Sequence, residues 1–150
     1  MSNLDLFNVS KETVVITGAS GQLGLVYQKA FLGEGSNVVG IDINKSEEIN
    51  TLENKFKKNY LFLKGDITSK TSLENCLKEI KQKFETPSVL INNAALDSPP
   101  GSSYEETGPF ENYPEKSWDK VLDVNLKGTF LTCQIFGGEM ATIGRGSIIN

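Results

Sequence analysis

Histidine is absent from the 150 residues of the chain, and cysteine occurs only twice. Without histidine, nucleophile systems of the Ser-His-Asp and Cys-His types are excluded, together with the usual zinc sites that have histidine ligands. Cys76 and Cys133 lie far apart in the sequence and form no CxxC pair, which argues against a disulfide framework and against a metal site. We expect both cysteines to be reduced and any acid–base chemistry to use other groups.

Long apolar runs and an excess of positive charge are missing as well. No segment approaches the roughly 18 consecutive apolar residues of a membrane span, and residues 1–6 lack the basic region and apolar core of a signal peptide. The chain has 19 acidic and 15 basic residues and a net charge of -4, which is unlike the basic composition of nucleic-acid binders. We therefore expect a cytoplasmic protein that binds neither a membrane nor a nucleic acid.

Short apolar runs alternate with amphipathic stretches, which is typical of one α/β domain. Strands are predicted at residues 13–17, 37–43, 60–64 and 89–91, and a fifth, buried strand begins at residue 147. Helices are predicted at residues 23–34, 46–57 and 117–136, and a further one from residue 71, where residues 71–74 have capping-box spacing. This order predicts right-handed βαβ units and a Rossmann-type doubly wound parallel sheet.

The segment from Leu96 to Pro114 is rich in proline and glycine and is predicted to be a long loop, a feature that is often functional in compact domains. Four aromatic residues cluster around it, namely Tyr104, Phe110, Tyr113 and Trp118. They either line the mouth of a substrate site or anchor the loop on the sheet. The sequence leaves both interpretations open.

Three glycines follow the first strand at spacings of three, in the segment TGASGQLG. Such a turn lets the backbone approach a pyrophosphate, which the N–H groups at the start of the next helix then bind. A turn that needs glycine only for packing would look the same, but the position after the first apolar strand favours a dinucleotide site. The predicted binding residues of this turn are Gly18, Ser20, Gly21, Gln22, Leu23 and Gly24.

Asp42 ends the second strand, close to the distance of about 20 residues at which dinucleotide-binding folds place an acidic residue. A carboxylate there accepts hydrogen bonds from both hydroxyls of the adenosine ribose and repels a 2′-phosphate, which predicts NAD as the cofactor. Ile43, next in the chain, is included in the predicted site. Lys45 lies nearby, so NADP is not excluded. The alternative is that Asp42 only caps or solvates the end of the strand.

Taken in order, the motifs of the chain resemble the N-terminal half of the short-chain dehydrogenase/reductase family. They are Thr17-Gly18…Gly21…Gly24, Asp42, Asp66-Ile67, Asn92-Asn93-Ala94-Ala95 and the segment WDKVLDVNLKG at residues 118–128. The resemblance implies that Asp66 binds the adenine amino group, that Ile67 packs beside the ring, and that the Asn-Asn-Ala stretch lies under the cofactor. Asn93, Ala94 and Ala95 are therefore included in the predicted site. Two departures are the TGxxGxxG spacing, which is more typical of the family's epimerase and dehydratase branch, and Ala95 where glycine is commoner.

Asn125 lies on the predicted helix 117–136. At 100° per residue it falls within an apolar arc that contains Trp118, Val121, Leu122 and Cys133, so its amide is predicted to point inward. A buried amide needs hydrogen-bond partners, and bonds to neighbouring backbone would satisfy it. The resemblance implies a second role, in which Asn125 shapes a local kink and holds a water that links the catalytic lysine to solvent.

Phe130 falls on the otherwise polar face of the same helix, and an exposed aromatic residue there indicates a subunit contact. The resemblance implies that family members commonly dimerise through this helix and the next. We therefore expect a homo-oligomer.

The resemblance implies hydride transfer between a nicotinamide cofactor and a small carbonyl or alcohol substrate. The family's catalytic serine, tyrosine and lysine are expected beyond residue 150. Residues 1–150 are accordingly predicted to be the NAD(P)-binding, N-terminal half of a longer enzyme, truncated after the start of the fifth strand and inactive alone. Two alternatives remain: a non-catalytic dinucleotide-binding protein, and a nucleotide-sugar epimerase or dehydratase that retains NAD through turnover.

Overall fold

A computed structural model of the chain describes residues 8–97 and 102–150. Within these residues, one sheet has the strand order β3-β2-β1-β4-β5, and all neighbouring strands are parallel. The strands are β1 (Thr13–Thr17), β2 (Asn37–Asp42), β3 (Tyr60–Lys64), β4 (Val89–Ile91) and β5 (Ser147–Ile149). The predicted Rossmann-type parallel sheet is confirmed, with β2 ending one residue earlier than predicted.

The central strand β1 is buried along its whole length, because it pairs with β2 on one side and β4 on the other. Its continuous apolar run is typical of a parallel strand that is covered on both faces. In contrast, all three residues of β5 are exposed, so the prediction of a buried fifth strand is wrong for the described residues. The physical reason is that β5 pairs only with β4 and lies at the edge of the sheet.

Helices cover both faces of the sheet and form two apolar cores. On one face α1 (Gln22–Gly33) and α2 (Glu47–Lys55) pack against alternate strand residues such as Val14 and Val38. On the other face α3 (Lys70–Lys83) and the long helix described below pack against Val15 and Val39. The alternation of strand residues between the two faces explains why both cores are built from the same short apolar runs.

The cap of α3 differs from the prediction. The helix begins at Lys70, and its N-cap is Ser69, whose side chain accepts a hydrogen bond from the Ser72 backbone N–H at 3.3 Å. The capping box predicted at residues 71–74 is therefore wrong by two residues. Ser69 and Thr71 are both capping residue types, and the choice between them depends on which side-chain oxygen reaches a free N–H.

The long helix α5 spans residues 115–142, so it begins earlier and ends later than the predicted 117–136. It is α-helical at Glu115–Leu122, Thr129–Thr132 and Gly138–Thr142, and π-helical at Asp123–Gly128 and Cys133–Gly137. The helix continues through Gly137 and Gly138, beyond its predicted end at residue 136, because glycine costs a helix only about 1 kcal/mol and the next turn buries Met140 in the core.

The predicted loop at Leu96–Pro114 contains the short helix α4 (Tyr104–Thr107) and a 3-10 turn at Phe110–Asn112. Pro99, Pro100 and Gly101 of that loop lie outside the described residues, as do residues 1–6. Tyr104, Phe110 and Trp118 are exposed, so for these three the interpretation that they anchor the loop on the sheet is wrong.

In the part of the chain that the structure describes, none of the helices is both long and apolar enough to span a bilayer.

Candidate functional site

A cleft of about 650 Å³ opens at the carboxyl ends of the parallel strands. The strand order reverses between β1 and β4, where the chain crosses from one side of the sheet to the other. Ligands of open α/β sheets bind in the crevice at this switch point. The cleft therefore lies where the topology alone would place a ligand.

Most of the predicted site residues line this one cleft. They are Gly18, Gly21, Gln22, Leu23, Asp42, Ile43, Asp66, Ile67, Asn93, Ala94 and Ala95. Ser20, Gly24 and Asn125 do not line it. The remaining lining residues were not predicted: Ile41, Gly65, Thr68, Leu96, Lys120, Asp123 and Val124.

Two features of the sequence could have identified some of the lining residues that were not predicted. Gly65 and Thr68 flank the Asp66-Ile67 pair, so the motif was recognised but its two neighbouring residues were not included in the predicted site. Asp123 and Val124 lie three and four positions after Lys120 within the family-like segment at residues 118–128, which puts both on the same helix face as Lys120. That spacing predicts a shared surface, and the structure adds that the surface faces the cleft.

Backbone packing explains two of the three glycines in the turn. Gly18 has a φ of +66°, and a Cβ there would lie 2.8 Å from the Cα of Ala94. A Cβ on Gly24 would lie 2.2 Å from the carbonyl oxygen of Gly18. The packing requirement thus holds at Gly18 and Gly24, while Gly21 is exposed beside the cleft as the N-cap residue of α1.

The start of α1 is open to the cleft. Its N-cap, Gly21, provides no side-chain cap, and the first two helical residues, Gln22 and Leu23, line the cleft. The first N–H groups of a helix have no partner within the helix and carry partial positive charge. This end of α1 is suited to bind a phosphate or pyrophosphate group.

Asp42 lies at the end of β2, and each of its carboxylate oxygens accepts one backbone hydrogen bond. The Ser20 N–H donates to Oδ2 at 3.0 Å, and the Asn44 N–H donates to Oδ1 at 3.0 Å. A carboxylate oxygen accepts more than one hydrogen bond, so Asp42 is held by the loop and can still accept from a ligand. The capping role and the binding role are compatible.

Lys45 was the reason that NADP was not excluded as the cofactor. In the structure it forms an ion pair with Glu53 at 2.6 Å. Its ammonium group also lies 5.6 Å from the centre of the Phe62 ring. Both contacts direct the lysine charge toward α2 and β3. A 2′-phosphate beside Asp42 would therefore have to compete with Glu53 for this cation.

The Asp66-Ile67 pair borders the cleft after β3. One carboxylate oxygen of Asp66 accepts from the Thr68 N–H and from the Thr68 hydroxyl, both at 2.8 Å. Ile67 is buried and packs against Gly128 of α5, where a Cβ would lie 2.5 Å from the Ile67 Cδ1 atom. Ile67 thus joins the cleft to the long helix.

Asn93 and Ala94 connect the end of β4 to the glycine turn. Both backbone N–H groups donate to the Thr17 hydroxyl at 3.1 Å. The Asn93 side-chain amide donates to the carbonyl oxygens of Thr17 at 3.0 Å and Gly18 at 3.2 Å. These bonds hold the two central strand ends at a fixed separation below the cleft.

Asn125 differs from the prediction, because it is exposed in the described chain and does not lie in a buried apolar arc. The first half of α5, including Trp118 and Leu122 of the predicted arc, is exposed, and α5 buries its second half instead, at residues such as Leu131 and Phe136. The Asn125 amide forms two backbone hydrogen bonds: it accepts from the Leu96 N–H at 2.8 Å and donates to the Leu96 carbonyl at 2.9 Å.

Tyr60 and Lys64 have the four-residue spacing of a family-type Tyr-xxx-Lys pair, but they lie on β3. A strand rises about 3.3 Å per residue, so residues four apart are separated by roughly 13 Å and do not meet as they would on a helix. Tyr60 is buried and donates to Gln28, whereas Lys64 is exposed. This pair does not form a catalytic tyrosine and lysine.

Comparison with known proteins is consistent with this geometry. The family model described as short chain dehydrogenase matches residues 12–150. The chain therefore belongs to the short-chain dehydrogenase family.

Particular relatives cover nearly all of the chain. It is 34% identical to an NAD-dependent glycerol dehydrogenase of Listeria innocua over 96% of the chain and 53% of that protein. It is 27% identical to a gluconate 5-dehydrogenase of Gluconobacter oxydans, over all of the chain and 56% of that protein. A short-chain type dehydrogenase/reductase from Mycobacterium marinum has the same fold, with a TM-score of 0.84 and 24% identity over 99% of this chain and 58% of that one. The chain thus spans about half the length of the curated relatives it matches.

Proposed function

We propose that this chain supplies the cofactor-binding half of an NAD-dependent oxidoreductase that acts on a small carbonyl or alcohol substrate. The observation that carries the proposal is the position of Asp42, whose carboxylate is held at the end of β2 and lines the same cleft as the open start of α1. One site thus offers an acceptor for ribose hydroxyls and a donor surface for a pyrophosphate.

The residues present fit a dinucleotide in both size and chemistry. The cleft of about 650 Å³ lies within the range of about 300–1,000 Å³ that is usual for small-molecule sites. In this proposal Asp42 and Ile43 contact the adenosine ribose, Asp66 and Ile67 contact the adenine, and the turn at residues 18–24 holds the pyrophosphate. Asn93, Ala94 and Ala95 lie under the remainder of the cofactor.

The nicotinamide ring of such a cofactor gives or accepts a hydride at its C4 atom. The residues of this chain bind and orient that cofactor. Asn125 contributes by holding the backbone of Leu96, which lines the cleft beside Lys120 and Asp123. The proposal keeps the family-derived role in which Asn125 also orders a water in the proton path.

NAD is preferred to NADP in this proposal, because a 2′-phosphate would meet the Asp42 carboxylate while Lys45 is paired with Glu53. The Listeria innocua relative is named as NAD-dependent, which supports the same choice. A coupling of about 2.7 kcal/mol between the two negative groups corresponds to roughly 100-fold in affinity.

Titration of the full-length protein with NAD and NADP tests the proposal. We expect an affinity ratio of roughly 100 in favour of NAD, and Asp42→Ala should bring the ratio close to one. Asp119→Ala removes an exposed carboxylate that does not line the cleft and serves as the matched control. Equal affinities in the unmodified protein, or an unchanged ratio in Asp42→Ala, would show that Asp42 does not bind the ribose.

The two alternative functions predict different behaviour. The curated relatives of Listeria innocua and Gluconobacter oxydans are named as dehydrogenases, which favours net oxidoreduction over an epimerase or dehydratase. An epimerase would retain its NAD through turnover, so steady reduction of added NAD by an alcohol argues against it. A non-catalytic binding protein would bind NAD and reduce none.

The proposal also includes a homo-oligomer, a cytoplasmic location and the inactivity of residues 1–150 alone. Oligomerisation is supported by four large apolar residues that are exposed on α5, namely Trp118, Leu122, Leu126 and Phe130. The cytoplasmic location is supported by the two cysteines, which are free thiols. The inactivity of residues 1–150 alone is supported by the separation of Tyr60 and Lys64 on β3, which leaves residues 8–97 and 102–150 without a helical tyrosine–lysine pair.

A further inference from the structure

The glycine turn is held from its buried side by Gln28, a residue of α1 that does not line the cleft. Its side chain has no exposure to solvent. The Nε2 group donates to the carbonyl oxygens of Ala19 at 2.6 Å and Gly24 at 2.9 Å. Carbonyl oxygens only accept hydrogen bonds, so the NH₂ group of the amide must face the turn. Both amide hydrogens are thus used on the backbone of the phosphate-binding turn.

Tyr60 of β3 satisfies the other end of this amide. Its hydroxyl donates to the Gln28 Oε1 atom at 2.6 Å, and the tyrosine is 2% exposed. Gly40 of β2 lies between the two side chains. A Cβ on Gly40 would lie 2.5 Å from that Oε1 atom and 3.0 Å from the Tyr60 hydroxyl. The missing side chain at Gly40 is therefore what allows Gln28 and Tyr60 to meet.

The peptide group between Ala19 and Ser20 connects Gln28 to Asp42. Its carbonyl oxygen accepts from Gln28, and its N–H donates to the Asp42 Oδ2 atom at 3.0 Å. A peptide group is planar, so fixing the direction of the carbonyl also fixes the direction of the N–H. The orientation of the Asp42 carboxylate is thereby coupled to Gln28 through one rigid unit.

We infer that Gln28 and Tyr60 are positioning residues that orient the Asp42 carboxylate toward the ribose diol and so set the preference for NAD over NADP. This inference rests on the proposed function. Neither residue contacts the cofactor, and both act through the Ala19–Ser20 peptide. Burial, with a smaller contribution from the charge of Glu53, raises the pKa of the Tyr60 phenol above its ordinary value. Tyr60 therefore remains a protonated donor at physiological pH.

The main test compares NAD and NADP binding in the full-length protein and in Gln28→Met, a side chain of similar length without amide hydrogens. We expect the dissociation constant for NAD to rise about 10-fold and that for NADP to change less than 3-fold, because NADP gains little from Asp42. The NAD preference should therefore shrink. If the role of Gln28 were purely structural, the variant would weaken the binding of both cofactors equally and leave the ratio of their affinities unchanged.

Two further variants keep the test informative if Gln28→Met folds poorly. Tyr60→Phe removes only the hydroxyl, and we expect about a 3-fold loss of NAD affinity with a smaller preference for NAD. Ser36→Ala is the matched control, because it removes the side-chain hydrogen bond of another buried residue, from the Ser36 hydroxyl to the Val9 carbonyl, away from the cleft. It should lower the melting temperature without changing the ratio.

The double variant Gln28→Met/Tyr60→Phe should lose no more NAD preference than Gln28→Met alone, because Tyr60 acts through Gln28. The inference is overturned if the unmodified protein prefers NAD but Gln28→Met and Tyr60→Phe keep that preference within 2-fold. If the unmodified protein binds neither cofactor, the proposed function itself fails. The two failures are thus distinguished by the unmodified protein.

Discussion

The glycine turn and the outer face of α5 are built in opposite ways. In the turn, backbone atoms are so close that Gly24 has no room for a Cβ, and the buried amide of Gln28 is fully hydrogen-bonded. On α5, four large apolar side chains follow one another at intervals of four residues and are exposed by 39% to 67%. We call these four the α5 stripe: Trp118, Leu122, Leu126 and Phe130.

This difference separates a region that the described residues close by themselves from a surface that they leave uncovered. The turn is held by residues from Thr17 to Tyr60 and by Asn93 and Ala94 at the end of β4, and its polar groups find partners inside this set. The α5 stripe buries little surface against the described residues. Contiguous exposed apolar surface on a helix is typical of an interaction site. Predictions about the turn therefore concern folding and binding, whereas those about the stripe concern association.

The largest effect is expected for Gly24→Ala. The new Cβ would lie 2.2 Å from the Gly18 carbonyl oxygen and 3.0 Å from the Ala19 Cα, both backbone atoms. The backbone must shift, which should lower the free energy of unfolding by about 3 kcal/mol and weaken NAD binding at least roughly 10-fold. Chemical denaturation and NAD titration measure the two effects.

Gly33→Ala is the control for this substitution. Gly33 lies in the same helix, and a Cβ there meets no atom within 4 Å. The variant should be equally stable or slightly more stable, since alanine is the better helix former by about 1 kcal/mol. If both variants behaved alike, the close packing of the turn would not matter for stability.

The sequence was sufficient to predict the parts of the molecule that depend on local pattern. Strands β1, β3 and β4 were predicted to the residue, because their apolar runs are bounded by polar or turn residues. Asp42 was placed at the cleft, because parallel strands bring their carboxyl ends to one edge. Both predictions follow from short segments and from the topology that those segments imply.

The sequence was insufficient where distant segments decide the structure. The link between Gln28 and Tyr60 crosses β2 and was missed, although Gly40 inside a strand is a signal of close approach. The burial of Asn125 was mispredicted, because the apolar arc to which it was assigned is itself exposed at Trp118 and Leu122. Periodicity assumes a regular helix, and it does not show which face the rest of the fold will cover.

Asn125→Leu should have the next largest effect. It tests the part of α5 that borders the cleft. In the full-length protein we expect turnover in the proposed reaction to fall about 100-fold while NAD affinity falls less than 3-fold, because the proposed role concerns a proton path and the Leu96 backbone. Gln134→Leu, an exposed polar residue of the same helix, should leave both unchanged. A comparable loss of turnover and affinity would indicate a purely structural asparagine.

Phe130→Ser tests the α5 stripe. If a second copy of the chain covers the stripe, loss of this side chain should raise the dimer dissociation constant about 10-fold or more, since burying an aromatic residue stabilises by roughly 1.5–3 kcal/mol. Sedimentation of the full-length protein measures it. Val26→Ser removes an exposed apolar residue of α1 and should leave association unchanged. A monomeric unmodified protein, or equal effects of the two variants, would contradict the role of the stripe.

The smallest expected effect is a difference in reactivity between the two thiols. Cys76 lies in the closed core, and Cys133 lies on α5. Cys76 is buried, and a Cβ on Gly65 would lie 2.8 Å from its sulfur, so the packing around it is tight. Burial, with a smaller contribution from Glu79, raises the pKa of Cys76 to about 11. At pH 8 only about one thiol in a thousand is then a thiolate, the form that reacts with alkylating reagents.

Cys133 of α5 is only half-buried, so iodoacetamide at pH 8 should label it at least about 10-fold faster than Cys76. Mass spectrometry of the native protein measures the ratio, and denaturant should make the two rates similar, because unfolding removes the burial that raises the pKa of Cys76. The Cys133→Ser variant should remain unlabelled while folded. Rapid labelling of Cys76 in the native protein would mean that reagent reaches the core beneath α3 as readily as it reaches the surface of α5. The contrast between a closed core and an accessible α5 would then be wrong.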